Sequence, residues 1–145
     1  MGTVKRCSVE YIMSLSTVRA LVVDDYEPFR RFVCFALRER PALQVVGEAS
    51  DGVEAVQRAE ELKPDLILLD IGLPTLNGIA AARQIRTLSP ESKIIIVTQE
   101  SSADVVQEAF NSGAEGYVLK TRAGFDLLDA VDAVLEGRQF VSTGL

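Results

Sequence analysis

The chain has 145 residues, of which 48% are hydrophobic, and its formal net charge is -6 at pH 7. This length fits one domain with a substantial core, and the acidic balance argues against general nucleic-acid binding, because phosphate contacts need a basic surface. The sequence contains no histidine, which excludes histidine-based catalytic triads and histidine zinc sites. Carboxylates, hydroxyls, lysine or a hard metal ion must therefore supply any chemistry.

Residues 1–17 show no clear periodicity, and we expect them to form a flexible extension in which Met13 is an alternative start. No apolar run approaches the roughly 20 residues of a membrane span, and none of secretory length follows the first basic residues. The two cysteines, Cys7 and Cys34, are too few for a disulfide framework. We therefore expect a cytoplasmic protein in a reducing compartment, with Cys34 as a buried free thiol on a helix.

From residue 18 the chain alternates between apolar runs and amphipathic stripes, which predict strands and helices respectively. The predicted strands lie near residues 19–24, 44–49, 65–70, 93–98 and 116–120. The predicted helices lie near residues 28–40, 52–63, 76–88, 102–112 and 124–136. Strands this apolar are typical of a parallel sheet covered on both faces, so we expect right-handed crossovers and a three-layer α/β domain.

Proline and capping residues mark the ends of the first two helices. Pro28 suits the first helical position, and Pro41 ends the first helix because the residue before a proline avoids helical angles. Ser50 or Asp51 is expected to cap the second helix, where Glu54 completes a capping box.

Four of the predicted strands end in polar or charged side chains. These are Asp24 and Asp25 after the first strand, Asp70 after the third, Thr98 after the fourth and Lys120 after the fifth. Because ligand sites form at the carboxyl ends of strands in an open parallel sheet, we expect one charged pocket here. Two carboxylates about 4 Å apart repel by roughly 4 kcal/mol at an effective dielectric near 20, so the pocket needs a cation. Oxygen ligands favour a hard ion such as Mg²⁺.

Each of these side chains also has an ordinary structural explanation. Asp24 and Asp25 are suited to capping the first helix, and Asp70 is suited to a turn. Thr98 fits strand propensity, and a lone Lys120 is usually a solvated charge. Capping and metal binding are compatible, and the occurrence of complementary groups at four strand ends favours the ligand site.

The ordered set of these features resembles the receiver domain of bacterial two-component response regulators over roughly residues 18–140. The matching features are Asp24-Asp25, residues 64–70, Leu73-Pro74 with Asn77-Gly78, Thr98, and residues 113–120. The resemblance implies a flavodoxin-like fold, in which a doubly wound sheet has five parallel strands in the order 2-1-3-4-5. Residues 141–145 would then be a tail or the start of a linker.

Two segments are similar to receivers of the NarL/LuxR type. They are residues 46–52 and Lys120-Thr121, since many other receivers have a proline after that lysine. Relatives of this type usually continue into a helix-turn-helix DNA-binding domain. The resemblance therefore implies transcription regulation through a separate output domain, without direct nucleic-acid contact or membrane contact from this segment.

The resemblance implies that Asp70 accepts a phosphoryl group from a sensor histidine kinase or a phosphotransfer protein. It also implies that Asp25, Asp70 and the backbone carbonyl of Gly72 hold Mg²⁺, with Asp24 acting through a water molecule. In such proteins the carboxylate is a covalent nucleophile, and the metal ion neutralises charge during transfer.

The resemblance also implies a switch. Lys120 would pair with the phosphoryl oxygens, Thr98 would hydrogen-bond one of them, and Tyr117 would rotate inward when that contact forms. The altered surface would lie near residues 99–136. A phosphorylation-dependent homodimer is a common consequence in the family.

Two other functions stay open. A binding module of the same fold that takes no phosphate is supported by Gln99, because the family usually has a small residue there. An aspartyl-phosphate hydrolase of another α/β family is disfavoured, because Gly72 replaces the second aspartate that such enzymes use as acid and base. We therefore expect a signalling switch, and no turnover enzyme acting on a separate substrate.

Overall fold

Strands and helices alternate along residues 17–145, the part of the chain that the computed structural model describes. The strands are β1 (Val18–Val23), β2 (Leu43–Ala49), β3 (Leu66–Leu69), β4 (Lys93–Thr98), β5 (Gly116–Leu119) and β6 (Phe140–Val141). The helices are α1 (Glu27–Leu37), α2 (Gly52–Leu62), α3 (Gly78–Leu88), α4 (Ala103–Asn111) and α5 (Ala123–Leu135), with a 3₁₀ turn at Lys120–Arg122. The expectations for the amino-terminal extension, Met13 and Cys7 lie outside the described residues.

All strands are parallel, and their order in the sheet is β2-β1-β3-β4-β5-β6. The predicted order of five strands is therefore confirmed, and a sixth strand extends the sheet. β6 pairs along the outer edge of β5, with Phe140 opposite Gly116 and Val141 opposite Tyr117. Its two residues are too few to produce a periodic signal in the sequence.

The sheet is covered on both faces, which explains why its inner strands β3 and β4 are apolar without alternation. On β4, Ile94 and Ile96 pack in a core with α2, α3 and α4. Ile95 and Val97 pack on the opposite face with α1 and α5. All four side chains are at most 3% exposed, so the predicted three-layer α/β architecture is confirmed.

Helix α1 differs from its prediction at both ends. Its N-cap is Tyr26, so the helix begins at Glu27, one residue before Pro28. It ends at Leu37, because the N–H groups of residues 38–40 bond to carbonyls three residues back in a turn that precedes Pro41. Proline therefore marks the end of this turn and not the end of the helix.

Helix α1 has exposed aromatic side chains as well as buried apolar ones. Val33 and Leu37 are buried, whereas Phe32 is 41% exposed and Phe35 is 68% exposed. Cys34 is a half-buried free thiol, so the expectation of a buried thiol is wrong, although partial burial still raises its pKa to about 11. Val33 and Leu37 are the fully buried residues of this helix, and Phe29 and Ala36 pack beside them against the same core.

The amino terminus of α2 has the predicted capping chemistry. Asp51 is the N-cap, and its side chain accepts a hydrogen bond of 2.8 Å from the Glu54 N–H. The Glu54 side chain accepts a hydrogen bond of 2.8 Å from the Ser50 N–H. Both candidate residues therefore take part in the cap.

Helix α3 begins directly against the end of β3. A Cβ atom on Gly78 would lie 1.9 Å from the carbonyl oxygen of Asp70, so only glycine allows this approach. Asn77 is the N-cap, and its side chain accepts a hydrogen bond of 3.0 Å from the Ala80 N–H. The Asn77-Gly78 pair therefore forms a helix cap that fixes the chain beyond Asp70.

None of the helices among residues 17–145 combines the length and the apolar character that crossing a membrane would require.

The Asn77→Ala variant should have a free energy of unfolding about 1 kcal/mol lower than wild type, because the helix loses its side-chain acceptor. Ser102→Ala is a matched control, since Ser102 is the N-cap of α4 and makes no side-chain cap hydrogen bond. Chemical denaturation of both variants measures the difference. Equal losses would contradict a specific contribution from Asn77.

Candidate functional site

Three aspartates converge at the carboxyl edge of the sheet. Asp24 and Asp25 follow β1, and Asp70 follows the neighbouring strand β3. One carboxylate oxygen from each lies within 4.8 Å of the others. Asp24 and Asp70 are buried, whereas Asp25 is exposed. The strand ends thus bring together the three acids that the sequence analysis selected.

Lys120 reaches this cluster from the end of β5. Its Nζ lies 2.8 Å from Asp24 Oδ2 and 3.0 Å from Asp70 Oδ2. The lysine side chain is only 13% exposed, so it is not the solvated charge that a lone lysine usually is. One ammonium therefore bridges two buried carboxylates from different strands.

Burial and pairing act in opposite directions on these groups. Burial raises the pKa of Asp24 above its ordinary value, and it outweighs the opposing hydrogen bonds from Lys120 and from the Tyr26 N–H. Burial also opposes the charge on Lys120, but its hydrogen bonds to Asp24 and Asp70 hold the lysine pKa above its ordinary value. The ammonium therefore stays charged in this pocket.

The local explanations for the acids are partly correct. Asp24 Oδ1 accepts a hydrogen bond of 2.8 Å from the Tyr26 N–H, and Asp70 Oδ1 accepts one of 2.7 Å from the Ile71 N–H. Neither Asp24 nor Asp25 is the N-cap of α1. On both Asp24 and Asp70, one oxygen fixes the local turn while the other faces Lys120.

A pocket of about 380 Å³ opens beside this cluster. It is lined by Asp25, Tyr26, Asp70, Ile71, Gly72, Thr98, Gln99, Glu100 and Lys120. Asp24 is 3% exposed and does not line the pocket. The pocket therefore combines carboxylates, a hydroxyl and an ammonium, a set suited to a divalent cation together with an oxyanion.

The donor set fits Mg²⁺. Hard cations take oxygen ligands, and Mg²⁺ is usually held by one or two carboxylates while it retains waters. Asp25 and Asp70 present carboxylates to the pocket, and Gly72 lies on the same wall. The close approach of three acids is itself a reason for a cation to bind.

Tyr117 lies behind the pocket and points into the protein. Its side chain is fully buried, and its hydroxyl donates a hydrogen bond of 2.7 Å to the backbone carbonyl of Glu100. Thr98 is 3% exposed at the end of β4, the strand that pairs with the Tyr117 strand β5. Tyr117 is therefore buried next to the strand that ends in Thr98.

The sequence analysis missed several residues that support the site. Arg30 Nη1 donates to the Asp24 backbone carbonyl at 2.9 Å, and Arg30 Nε donates to Glu48 at 2.8 Å. The Phe29 ring lies under Lys120, with 4.7 Å between Nζ and the ring centroid. Their only sequence signal is their position on α1, one turn after the acid pair. Tyr26 was missed too, although it directly follows Asp25.

Comparison with known proteins gives a consistent result. The response regulator receiver domain family matches residues 20–132. The transcriptional regulatory protein LiaR of Bacillus subtilis (strain 168) is 38% identical over 120 residues, which are 83% of this chain and 57% of LiaR. The response regulator protein VraR of Staphylococcus aureus (strain Mu3) is 36% identical over 121 residues, 83% of this chain and 58% of VraR.

A solved structure of a response regulator also matches this chain. The two-component response regulator of the LuxR family from Aurantimonas sp. SI85-9A1 superposes with a TM-score of 0.84 at 36% identity. The match covers 88% of this chain and 91% of that structure. The chain spans less than two thirds of the length of LiaR and of VraR.

Tyr117 provides a test of the buried hydroxyl. Burial, with smaller effects from Glu100 and Asp70, raises its pKa to about 12, above an ordinary value of about 10. The folded state therefore favours the protonated phenol. The contribution of this preference to the free energy of unfolding is complete below pH about 10 and is lost as the pH rises through about 12.

The wild-type free energy of unfolding should therefore fall with pH over this alkaline range more steeply than that of Tyr117→Phe. Denaturation at a series of alkaline pH values measures both slopes. Equal slopes would show that the Tyr117 hydroxyl is not protected.

Proposed function

The chain belongs to the response regulator receiver domain family, to receivers of the NarL/LuxR type, and on this premise we propose that Asp70 is its phosphoacceptor. Receivers are signalling proteins of two-component systems and not turnover enzymes in the usual sense. The observation that carries the proposal is that Asp25, Asp70 and Lys120 line one open pocket, while the buried Asp24 contacts the same lysine.

In the proposed reaction, an Asp70 carboxylate oxygen attacks phosphorus. A new O–P bond forms while the P–N bond of a phosphohistidine on the partner breaks, and the electron pair leaves with the imidazole. The Ile71 N–H and Lys120 both hydrogen-bond the Asp70 carboxylate, which orients it for attack. The product is an aspartyl phosphate, a covalent use of a carboxylate that is known in other phosphotransfer proteins.

Asp25, Asp70 and the backbone carbonyl of Gly72 would hold Mg²⁺ in this proposal, with Asp24 acting through a water molecule. When bound, the ion supplies positive charge that neutralises the transferred phosphoryl group. The support is the oxygen-only donor set and the mutual distances of at most 4.8 Å among the three carboxylates.

Lys120 and Thr98 would hold the new phosphoryl group. The Lys120 ammonium already contacts Asp70 at 3.0 Å, so a small shift brings it to oxygens attached there. Thr98 lines the same pocket, and its hydroxyl would supply the hydrogen bond. These two groups stabilise negative charge that develops in the transition state and remains on the product.

The output would be a change in the surface near residues 99–136. A phosphorylated state is favoured only by contacts that differ between two conformations. The Tyr117 hydroxyl contacts the Glu100 carbonyl, and Glu100 lines the pocket, so this contact links the pocket to the loop before α4. We infer that Thr98 and Tyr117 form the switch.

The proposed partner is a sensor histidine kinase or a phosphotransfer protein. This partner implies that the receiver acts in the cytoplasm. LiaR is a transcriptional regulator, and this chain spans 57% of its length. We therefore propose that transcription is regulated through a separate output domain, with a phosphorylation-dependent homodimer as one route. The described receiver supplies the switch and makes no direct nucleic-acid contact in this proposal.

Incubation with Mg²⁺ and acetyl phosphate, a small phosphodonor, should add one phosphate to the wild-type protein, as measured by intact mass. Asp70→Asn should abolish the addition, and chelation of Mg²⁺ should suppress it. Asp65→Asn is the matched control, because Asp65 is an exposed acid at the opposite end of the same strand. Its mass increase should equal that of wild type.

The outcomes separate the competing functions. Persistent labelling of Asp70→Asn rejects the phosphoacceptor assignment. An unchanged wild-type mass together with preserved partner binding would instead identify a binding module that takes no phosphate. Multiple turnover of the donor would identify a hydrolase.

Gln99 should slow phosphorylation, because its side chain lies on the pocket wall beside Thr98. Gln99→Ala should therefore be phosphorylated faster than wild type at equal donor concentration, as measured by the rate of mass increase. An unchanged or lower rate would show that Gln99 does not obstruct the phosphoryl group.

A further inference from the structure

The Lys120 ammonium has three close neighbours, and one of them is not a charged group. Its Nζ lies 2.8 Å from Asp24 Oδ2, 3.0 Å from Asp70 Oδ2 and 4.7 Å from the centroid of the Phe29 ring. A lysine ammonium has three N–H donors. The two carboxylates take two of them, and the aromatic face lies beside the same nitrogen.

An aromatic face suits this position because of its charge distribution. The face is negative, and it attracts a cation within about 6 Å of the ring centroid. Unlike a third carboxylate, it adds no formal charge beside the cluster of Asp24, Asp25 and Asp70. Its attraction is also less directional than a hydrogen bond. The ammonium can therefore turn toward a new oxyanion without losing this contact.

Phe29 is itself held in place. It lies on α1 and packs against the core between that helix, the sheet and α5. Its ring centroid is 5.5 Å from that of Phe32, and the two planes are inclined by 39°, a common geometry for aromatic pairs. A fixed ring limits the positions that the flexible four-carbon stem of Lys120 can adopt.

We propose that Phe29 is a positioning residue. Its ring face holds the Lys120 ammonium within reach of Asp70 and of the incoming phosphoryl oxygens. This inference rests on the proposed phosphorylation of Asp70. It adds a residue from α1 to a pocket whose lining comes from strand ends and the segments that follow them.

Phe29→Leu keeps an apolar side chain of similar size and removes the aromatic face. Its rate constant for phosphorylation by acetyl phosphate should be about threefold to tenfold below wild type, in line with the strength of cation–π contacts. Phe29→Tyr retains the face and should restore most of the rate. Phe35→Leu is the matched control, since it removes an exposed ring of the same helix and should leave the rate unchanged.

The contact can also be measured without phosphorylation. A ring current from Phe29 should shift the Lys120 ε-methylene protons upfield in the NMR spectrum of the wild-type protein. The shift should disappear in Phe29→Leu and persist in Phe29→Tyr, with the resonance assigned by its absence from Lys120→Ala.

The outcomes distinguish failure of this inference from failure of the proposed function. If the wild-type protein takes no phosphate, the proposed function fails, and the NMR shift alone decides whether Phe29 holds Lys120. If the wild type is labelled and Phe29→Leu is labelled equally fast, the positioning role is rejected while the phosphoacceptor stands. Equal slowing in Phe29→Leu and Phe29→Tyr would indicate a packing role and would also reject it.

Discussion

One buried ammonium between two buried carboxylates is the interaction on which this site depends. Lys120 follows β5, Asp24 follows β1 and Asp70 follows β3, so the contact ties three strand ends together. Buried charges are tolerated when they are paired and hydrogen-bonded, and removal of one partner leaves the others uncompensated. The same contact therefore holds Asp24 and Asp70 close together and keeps the Lys120 ammonium beside them.

The sequence was a good guide to the fold where the signal was long and was less reliable at the ends of elements. The β4 run Ile94–Val97 is buried on both faces, and such apolar runs identified β1, β3, β4 and β5 correctly. The end of α1 was placed too late, because Pro41 follows a turn of its own. β6 was missed because its pairing with β5 is a long-range interaction that two residues cannot signal.

Part of the candidate site could be predicted from the sequence, and part of it depends on how the elements pack. Strand ends in a parallel sheet meet at one edge, so Asp24, Asp70 and Lys120 could be grouped from the sequence alone. Phe29 and Arg30 could not be grouped with them, because their contacts with the site depend on how α1 is oriented over the sheet. The helical pattern indicates only that one face of α1 is partly exposed to solvent. The roles of Tyr117 and Gly72 came from family resemblance and from no pattern in the residues themselves.

The sixth strand also bears on how this domain can meet other chains. An uncovered edge strand offers unpaired backbone N–H and C=O groups to any neighbouring polypeptide. Here the Ser142 N–H donates to the Tyr117 carbonyl at 2.9 Å, and the Ser142 hydroxyl oxygen accepts from the Leu119 N–H at 3.1 Å. The backbone of β5 is thus already hydrogen-bonded on that side at Tyr117 and Leu119. A neighbouring polypeptide therefore cannot add a strand directly to β5, and a strand added on this side would pair with the short β6 instead.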